Sequence, residues 1–462
     1  MRVFRENVWC RVAEEDPREI DWLNDYLSFE NSRAFFQGRR GDDLRDRMFR
    51  LVDRTFPAGY FPMVRKAAKE TGFRFDYDDR RSRPTSVAQT VDLSWLRDYQ
   101  LAAVRRVWQK DRGIIKVPTG GGKTEIAIAL AESLPCRWLF LVHRATLVQQ
   151  TAERYAARTG NAAGGIETPP AARTSWFSVA TFQSMWAGLK RRDPQILDLL
   201  NAAEGLIVDE CHVQSADSFL AVTRKAPNAF YRVGLSGTPL ARGDQRSVLA
   251  VGALGPVIYE IQPQVLISAG VLALPKIRFI PVTQESACPT WQGVYGECVV
   301  RSPIRNRAVV TVALAAARPA LVFVKEISHG RRLQKALVKA GLRAEFTWGS
   351  HPTERRQAAV QRLVRGDVDV LVASVIFQEG VDIPSLASVV VASGGRSAIA
   401  ALQRIGRGMR TDGGRKAEFE VWEFLDQGNR MMERQARARM RVYEAEGYQV
   451  SVEGAEPALP LA

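Results

Sequence analysis

Ile114-Ile115-Lys116-Val117 passes without a break into Pro118-Thr119-Gly120-Gly121-Gly122-Lys123-Thr124, and a helical pattern follows over 124–134. This order requires a buried strand, a sharply bent loop and the start of a helix in succession. Glycines let backbone N–H groups approach an anion closely. The helix start adds the positive end of its dipole. The loop formed by Thr119, Gly120, Gly121 and Gly122 therefore suits a phosphate. Lys123 is placed for the β- and γ-phosphates of a nucleotide, and the Thr124 hydroxyl for Mg²⁺. The strict pattern has glycine or alanine at position 117; here it is Val117.

Short apolar runs ending at polar motifs recur along the chain. Trp138-Leu139-Phe140-Leu141-Val142 and Leu206-Ile207-Val208 lie between helical patterns in residues 90–240. A second block, 301–426, repeats the scheme with Ala320–Val324, Val368–Val372 and Ser388–Val391. Buried parallel strands read this way, with functional loops at their C-terminal ends. The expected fold class is α/β, with two tandem parallel-sheet lobes joined by a connector over 241–300 that also starts the second lobe. Residues 1–85 predict a small α+β domain: a helix through Met63, Val64, Ala67 and Ala68, a strand at Phe73–Tyr77, and a linker from Asp78 to Thr85. Residues 427–462 predict a helix with a basic face and a loose tail.

Asp209-Glu210-Cys211-His212 follows the Leu-Ile-Val run. Two carboxylates at a strand end suit one (Asp209) to hold Mg²⁺ and one (Glu210) to polarise an attacking water. Cys211 reads as a small buried residue. His212 reads as a packed histidine or as a hydrogen-bond coupler to Ser236 or Gln403. The five cysteines are scattered without a CxxC pair, which excludes a zinc ribbon and a disulfide framework. The net charge of +15 favours a polyanion partner, nucleic acid first. No apolar run approaches the roughly 20 residues that span a bilayer, and Met1–Glu6 lacks a signal-peptide core. A cytoplasmic protein with no membrane partner is expected.

The blocks 118–124, 209–212, Ser236-Gly237-Thr238-Pro239 and Gln403-Arg404-Ile405-Gly406-Arg407-Gly408-Met409-Arg410 together resemble a superfamily 2 helicase. Leu96-Arg97-Asp98-Tyr99-Gln100, Leu141–Arg144, Thr181–Ser184 and Ala373–Pro384 resemble further motifs of that family, in its order, so that the match covers about 93–430. The acidic box and the block from Arg305-Asn306 through Glu379 resemble the XPB, RadD and UvsW branch. Trp22–Phe29 and Thr55–Gly59 resemble the leading domain of UvsW-like phage helicases.

The resemblance implies two RecA-like lobes that use ATP and Mg²⁺. Arg97 and Gln100 then read adenine, and Gly380 and Asp382 link the second lobe to the ribose. Gln403 orders the attacking water, while Arg407 and Arg410 reach the phosphates, Arg410 as arginine finger. Ser236 and Thr238 couple hydrolysis to movement. Arg144, Thr181, Gln183, Thr347, Trp348 and Gln378 are the expected nucleic-acid contacts, with Trp348 either stacking on a base or filling a core edge. Arg33, Arg39, Arg40, Arg45, Arg47 and Arg50 are candidate duplex contacts or a solvated face. The helix over 427–442 is a second basic candidate or packs on lobe two. The partner implied is DNA, single-strand, duplex, forked or branched, with 3′→5′ polarity. The rival readings are an RNA helicase and the motor subunit of a restriction or defence system.

Overall fold

The computed structural model describes residues 1–14, 16–30, 45–84, 91–165, 175–211, 216–237, 247–374, 383, 385–395, 406, 409, 411 and 416–453. Two compact units emerge, one holding residues 1–118 and 122–261, the other residues 119–121 and those from Gln262 on.

The first unit opens with strands β1 (Arg2–Arg5), β2 (Trp9–Glu14), β3 (Thr55–Pro57) and β4 (Asp76–Asp79) in the sheet order β3-β2-β1-β4. Only β1 and β4 are parallel. Helix α1 (Pro17–Tyr26) starts on a capping box, Asp16 with Glu19. Helix α2 (Phe61–Glu70) follows the Phe-Pro-Ala-Gly-Tyr turn and buries Phe61, Val64 and Ala68. The strand expected at 73–77 is shifted to Asp76–Asp79 by its pairing with β1.

The segment expected as a linker is anchored instead. Arg81 is 8% exposed and its guanidinium bonds Asp79 and, at 3.1 Å, Asp111. Its cation also lies 4.5 Å from the Phe230 ring. Three further contacts fasten the leading sheet to the rest of the unit. Arg112 Nη2 donates to the Asn7 carbonyl at 2.6 Å, and Asn7 Nδ2 to that of Pro227 at 3.1 Å. Tyr60 donates to the Val248 carbonyl at 2.6 Å. Gly59 packs so tightly that a Cβ there would collide with the Val251 carbonyl.

The remainder of the unit is a parallel sheet. Its strands are β5 (Arg112–Lys116), β6 (Trp138–Val142), β7 (Phe177–Thr181), β8 (Gly205–Asp209), β9 (Tyr231–Ser236) and β10 (Val257–Glu260). They lie in the order β10-β5-β9-β8-β6-β7, every pairing parallel. Helices α3 (Asp98–Lys110), α4 (Lys123–Ser133), α5 (Ala145–Thr159), α6 (Phe182–Arg191) and α7 (Ser247–Leu254) are joined to these strands. Cores form on both faces of the sheet, as buried parallel strands require. The sheet does not stop near 240, because β10 adds its edge strand.

The second unit carries a seven-stranded parallel sheet: β11 (Leu274–Thr283), β12 (Ala320–Val324), β13 (Ala344–Thr347), β14 (Val370–Ser374), β15 (Ser388–Val391), β16 (Glu418–Gln427) and β17 (Val450–Val452). The order is β13-β14-β12-β15-β16-β11-β17. Strand β16 carries two fully buried acids. Asp426 meets Arg305, on helix α8 (Pro303–Ala315), at 2.8 Å. Glu423 meets Arg439, on helix α9 (Arg430–Ala445), at 3.0 Å. Each pair satisfies a charge that would otherwise be costly in the interior.

Candidate nucleotide site

Strand β5 delivers the chain into the glycine loop from a buried position. Gly120 and Gly122 take φ of 87° and 80°, a region that side chains resist. Gly122 is also the N-cap of α4, and a Cβ there would strike the Gln100 amide. Gln100 is buried, with its Oε1 accepting from the Arg97 N–H at 3.0 Å. Helix α4 is buried on nearly every side from Ile126 to Ala131, so the loop at its start is rigidly held. Arg97, Gln100 and Gly122 thus belong to one local assembly at the N-terminus of α4.

The acidic pair stands at the end of β8. Glu210 adopts φ of 44°, unusual for a residue with a Cβ. One carboxylate oxygen of Glu210 lies 3.0 Å from Lys123 Nζ. The other accepts the Ser236 hydroxyl at 3.3 Å. Ser236 itself is fully buried at the end of β9. Loop lysine, acid and strand-end serine are therefore connected in a line.

Asp209 differs from its neighbour. Its Oδ1 is buried and has no hydrogen-bond partner. Burial raises its carboxyl well above the ordinary range, the Glu210 charge adds to this, and Lys123 opposes it. An unpartnered carboxylate oxygen beside a phosphate loop fits a hard divalent cation, which takes one or two carboxylates plus phosphate oxygens. In this respect the Asp209 oxygen fits Mg²⁺. Among the described residues, no cluster of three or more His, Cys, Asp and Glu side chains forms a metal cage.

Cys211 is 4% exposed, and its Sγ stands close to where a side chain on Gly234 would begin. Burial pushes its thiol far upward, so it is no nucleophile. His212, Thr238, Gln378, Gly380, Asp382, Gln403, Arg407 and Arg410 lie outside the described residues, as do Arg33, Arg39 and Arg40.

Of the expected nucleic-acid contacts, three come together on the first unit. Val142 and Thr181 are paired across β6 and β7, and Gln183 Nε2 donates to the His143 carbonyl at 3.0 Å. Arg144 is the N-cap of α5 beside them. The Thr181 hydroxyl is engaged in capping α6, accepting from the Ser184 N–H at 3.0 Å.

On the second unit the picture is different. Thr347 is 1% exposed and its hydroxyl meets His351 Nδ1 at 3.2 Å, so the expected backbone contact by that hydroxyl does not match its inward position. Trp348 packs at the core edge, 5.0 Å from Phe346 and 3.5 Å from His351 between ring centres. Of the N-terminal arginines, Arg45 pairs with Asp25, while Arg50 pairs with Asp53 and covers Trp9. Sequence reasoning missed the Lys123–Glu210 pair and the buried role of Arg305; neither has a signal in spacing.

Comparison with known proteins agrees with this arrangement. Residues 94–241 match the family described as Type III restriction enzyme, res subunit, and residues 306–412 match the helicase conserved C-terminal domain. The chain is 30% identical over 408 residues to a putative DNA 3'-5' helicase, Rad25, of Halobacterium salinarum, covering 84% of this chain and 63% of that one. It is 24% identical to the ATP-dependent DNA helicase uvsW of Enterobacteria phage T4, covering 87% and 86%. The solved fragment of a putative HsdR subunit of a type I restriction enzyme from Vibrio vulnificus shares the fold, with a TM-score of 0.55, 18% identity and coverage of 90% and 89%.

With two RecA-like parallel sheets, a phosphate loop on the first and family matches on both, the chain belongs to the superfamily 2 helicases. Within them it falls in the XPB/UvsW-like branch. It spans less than two thirds of some relatives, 63% of the Halobacterium protein and 61% of a putative helicase from a Sulfolobus islandicus filamentous virus. No helix among the described residues is long and apolar enough to cross a membrane.

Proposed function

We propose that the chain is an ATP-dependent DNA helicase or double-strand DNA translocase of 3′→5′ polarity, remodelling forked or branched DNA in repair, recombination or replication. The observation that carries the hydrolytic half is the line Lys123–Glu210–Ser236 beside the unpartnered Asp209 oxygen. Lys123 holds the terminal phosphates, and Asp209 and Thr124 hold Mg²⁺. When bound, the ion neutralises phosphate charge. Glu210 polarises the attacking water and passes the state of the site to Ser236. Gln403, Arg407 and Arg410 are assigned by motif order alone, and so are Gly380 and Asp382.

The DNA half is supported by the relatives, whose names specify DNA 3'-5' helicase and ATP-dependent DNA helicase. A second reading, the motor of a restriction or defence assembly, is favoured by the restriction-subunit family match over the first sheet. The test is steady-state ATPase with matched single-strand, duplex and four-way-junction DNA and single-strand RNA at two salt concentrations. Strongest stimulation by branched or duplex DNA, fading with salt, is expected. Strongest stimulation by RNA overturns the DNA assignment.

A further inference from the structure

Helix α9 is divided into two faces of opposite use. Met432, Ala436, Arg439 and Tyr443 are buried, at the spacing of one helical stripe. Arg430, Arg434, Arg437 and Arg441 occupy the exposed stripe at the same spacing. These four span about 16 Å at 1.5 Å per residue. Together with Glu433 they line an open groove of about 300 Å³. Glu433 pairs with Arg437 at 2.7 Å. Arg430, Arg434 and Arg441 make no ion pair among the described residues.

The stripe is held in one orientation from behind. Arg439 Nη2 meets the fully buried Glu423 at 3.0 Å, and the Tyr443 hydroxyl donates to the same carboxylate at 2.8 Å. Arg439 Nη1 also donates to the Gly395 carbonyl at 2.5 Å. At the helix start, Asn429 Oδ1 caps the Met431 and Met432 N–H groups. Rotating the helix would break the Arg439 and Tyr443 contacts, so the face that carries the four arginines is held outward.

Such a row works against the helix that carries it. Like charges four residues apart destabilise a helix, and Arg430/Arg434 and Arg437/Arg441 are two such pairs. The outward face of α9 carries four arginines against two acids, Glu433 and Glu444, so its balance stays positive. The residues are all arginine, whose planar fork suits phosphate oxygens. The exposed stripe carries no aromatic side chain, whereas single-strand grooves rely on aromatics that stack with bases. A line of arginines without stacking groups suits the regular backbone of a duplex.

We infer that the exposed stripe of α9, through Arg430, Arg434 and Arg441, is a docking surface for the phosphate backbone of duplex DNA. This rests on the DNA-motor reading and adds to it a duplex grip on the second unit. The contact is sequence-independent, because phosphates carry no base information.

The experiment measures the affinity of the full chain for a blunt duplex oligonucleotide across a potassium chloride series, by fluorescence anisotropy. The variant combines Arg430→Gln, Arg434→Gln and Arg441→Gln. Losing three phosphate contacts lowers the slope of log affinity against log salt by about 2.7. The matching triple lysine variant keeps the charge and is expected to keep the wild-type slope. If the glutamine variant melts early, Arg430→Gln and Arg441→Gln are examined singly, each expected to lower the slope by about 0.9. An unchanged slope, or an equal loss of slope on single-stranded oligothymidylate, overturns the duplex assignment. A wild-type protein that binds duplex without salt dependence, and whose ATPase ignores DNA, refutes the underlying motor reading instead.

Discussion

Lys123 Nζ lies 3.0 Å from Glu210 Oε1, with both side chains 12% exposed. One cation thus faces two adjacent acids, Asp209 and Glu210, and the local balance is negative. Removing the lysine leaves the acids without their cation and the phosphates without their contact. Lys123→Ala is expected to lower ATP turnover by at least about 10²–10³-fold, the loss typical of removing one charge-stabilising donor. Phosphate release measured at saturating DNA checks this. Sustained turnover would refute the phosphate-loop assignment.

Ser236 carries a different expectation. Its hydroxyl donates to Glu210 at 3.3 Å from a fully buried position at the end of β9. Its hydroxyl is bonded to the acid. Ser236→Ala should spare most ATP turnover while lowering strand displacement per ATP consumed. Parallel measurement of phosphate release and fork unwinding gives the ratio. Equal losses in both place Ser236 in the chemical step and sink the coupling role.

Asp209 should show a conflict between stability and function. Its folded carboxyl is raised above the unfolded value, so the unfolded chain ionises first as pH rises. This group therefore removes stability from about pH 4 upward, and the full deficit is reached once Asp209 ionises in the folded state. Asp209→Asn is expected to raise the nucleotide-free melting temperature at neutral pH, by roughly 2–4 °C per kcal/mol relieved. No gain is expected at or below about pH 4. ATP turnover should be lost at every pH. Calorimetry at several pH values decides the matter, and a melting temperature lowered at neutral pH contradicts the reading.

Six strands of the two sheets, β5, β6, β8, β12, β14 and β15, were legible because each is a run of apolar residues ending at a polar motif. Ala320–Val324 and Trp138–Val142 match their expected limits without adjustment. The strand–glycine loop–helix order around Lys123 was legible for the same reason, since its parts are contiguous. What escaped was long-range. The Asp78–Thr85 segment looks like a linker because it is charged, yet Arg81 finds its partner at Asp111 and its ring at Phe230. Thr347 reads as a nucleic-acid contact by motif position, yet it is buried and its hydroxyl meets His351 in the following turn. Arg439 looks like one more member of a basic face, yet it is 1% exposed against Glu423. In each case the deciding partner is set by tertiary packing, which charge and periodicity do not reveal.

The same anchoring makes the leading sheet part of the folding unit rather than an appendage. Arg81 is clamped by Asp79 and Asp111 at 2.8 Å and 3.1 Å. The Arg81 hydrogen bonds hold the Asp79 carboxyl down at about 2, against a smaller opposing effect of burial. A lowered folded value means that this stability is fully present above the unfolded carboxylate pKa of about 3.9. It is lost as pH falls from there toward 2. Asp79→Asn should therefore destabilise the first unit at neutral pH by about 1 kcal/mol, as for a partly exposed pair. The difference from wild type should shrink below about pH 4 and vanish near pH 2. Arg81→Ala should cost more, about 2 kcal/mol, because it removes two such partly exposed pairs at once. Removing residues 1–84 altogether should yield an aggregating chain, since Arg112 would lose the Asn7 carbonyl and α7 its cover from Gly59 and Tyr60. Chemical denaturation of each variant across the pH range checks all three. A soluble, cooperatively folded truncation with wild-type ATPase shows that the sheet is a detachable module.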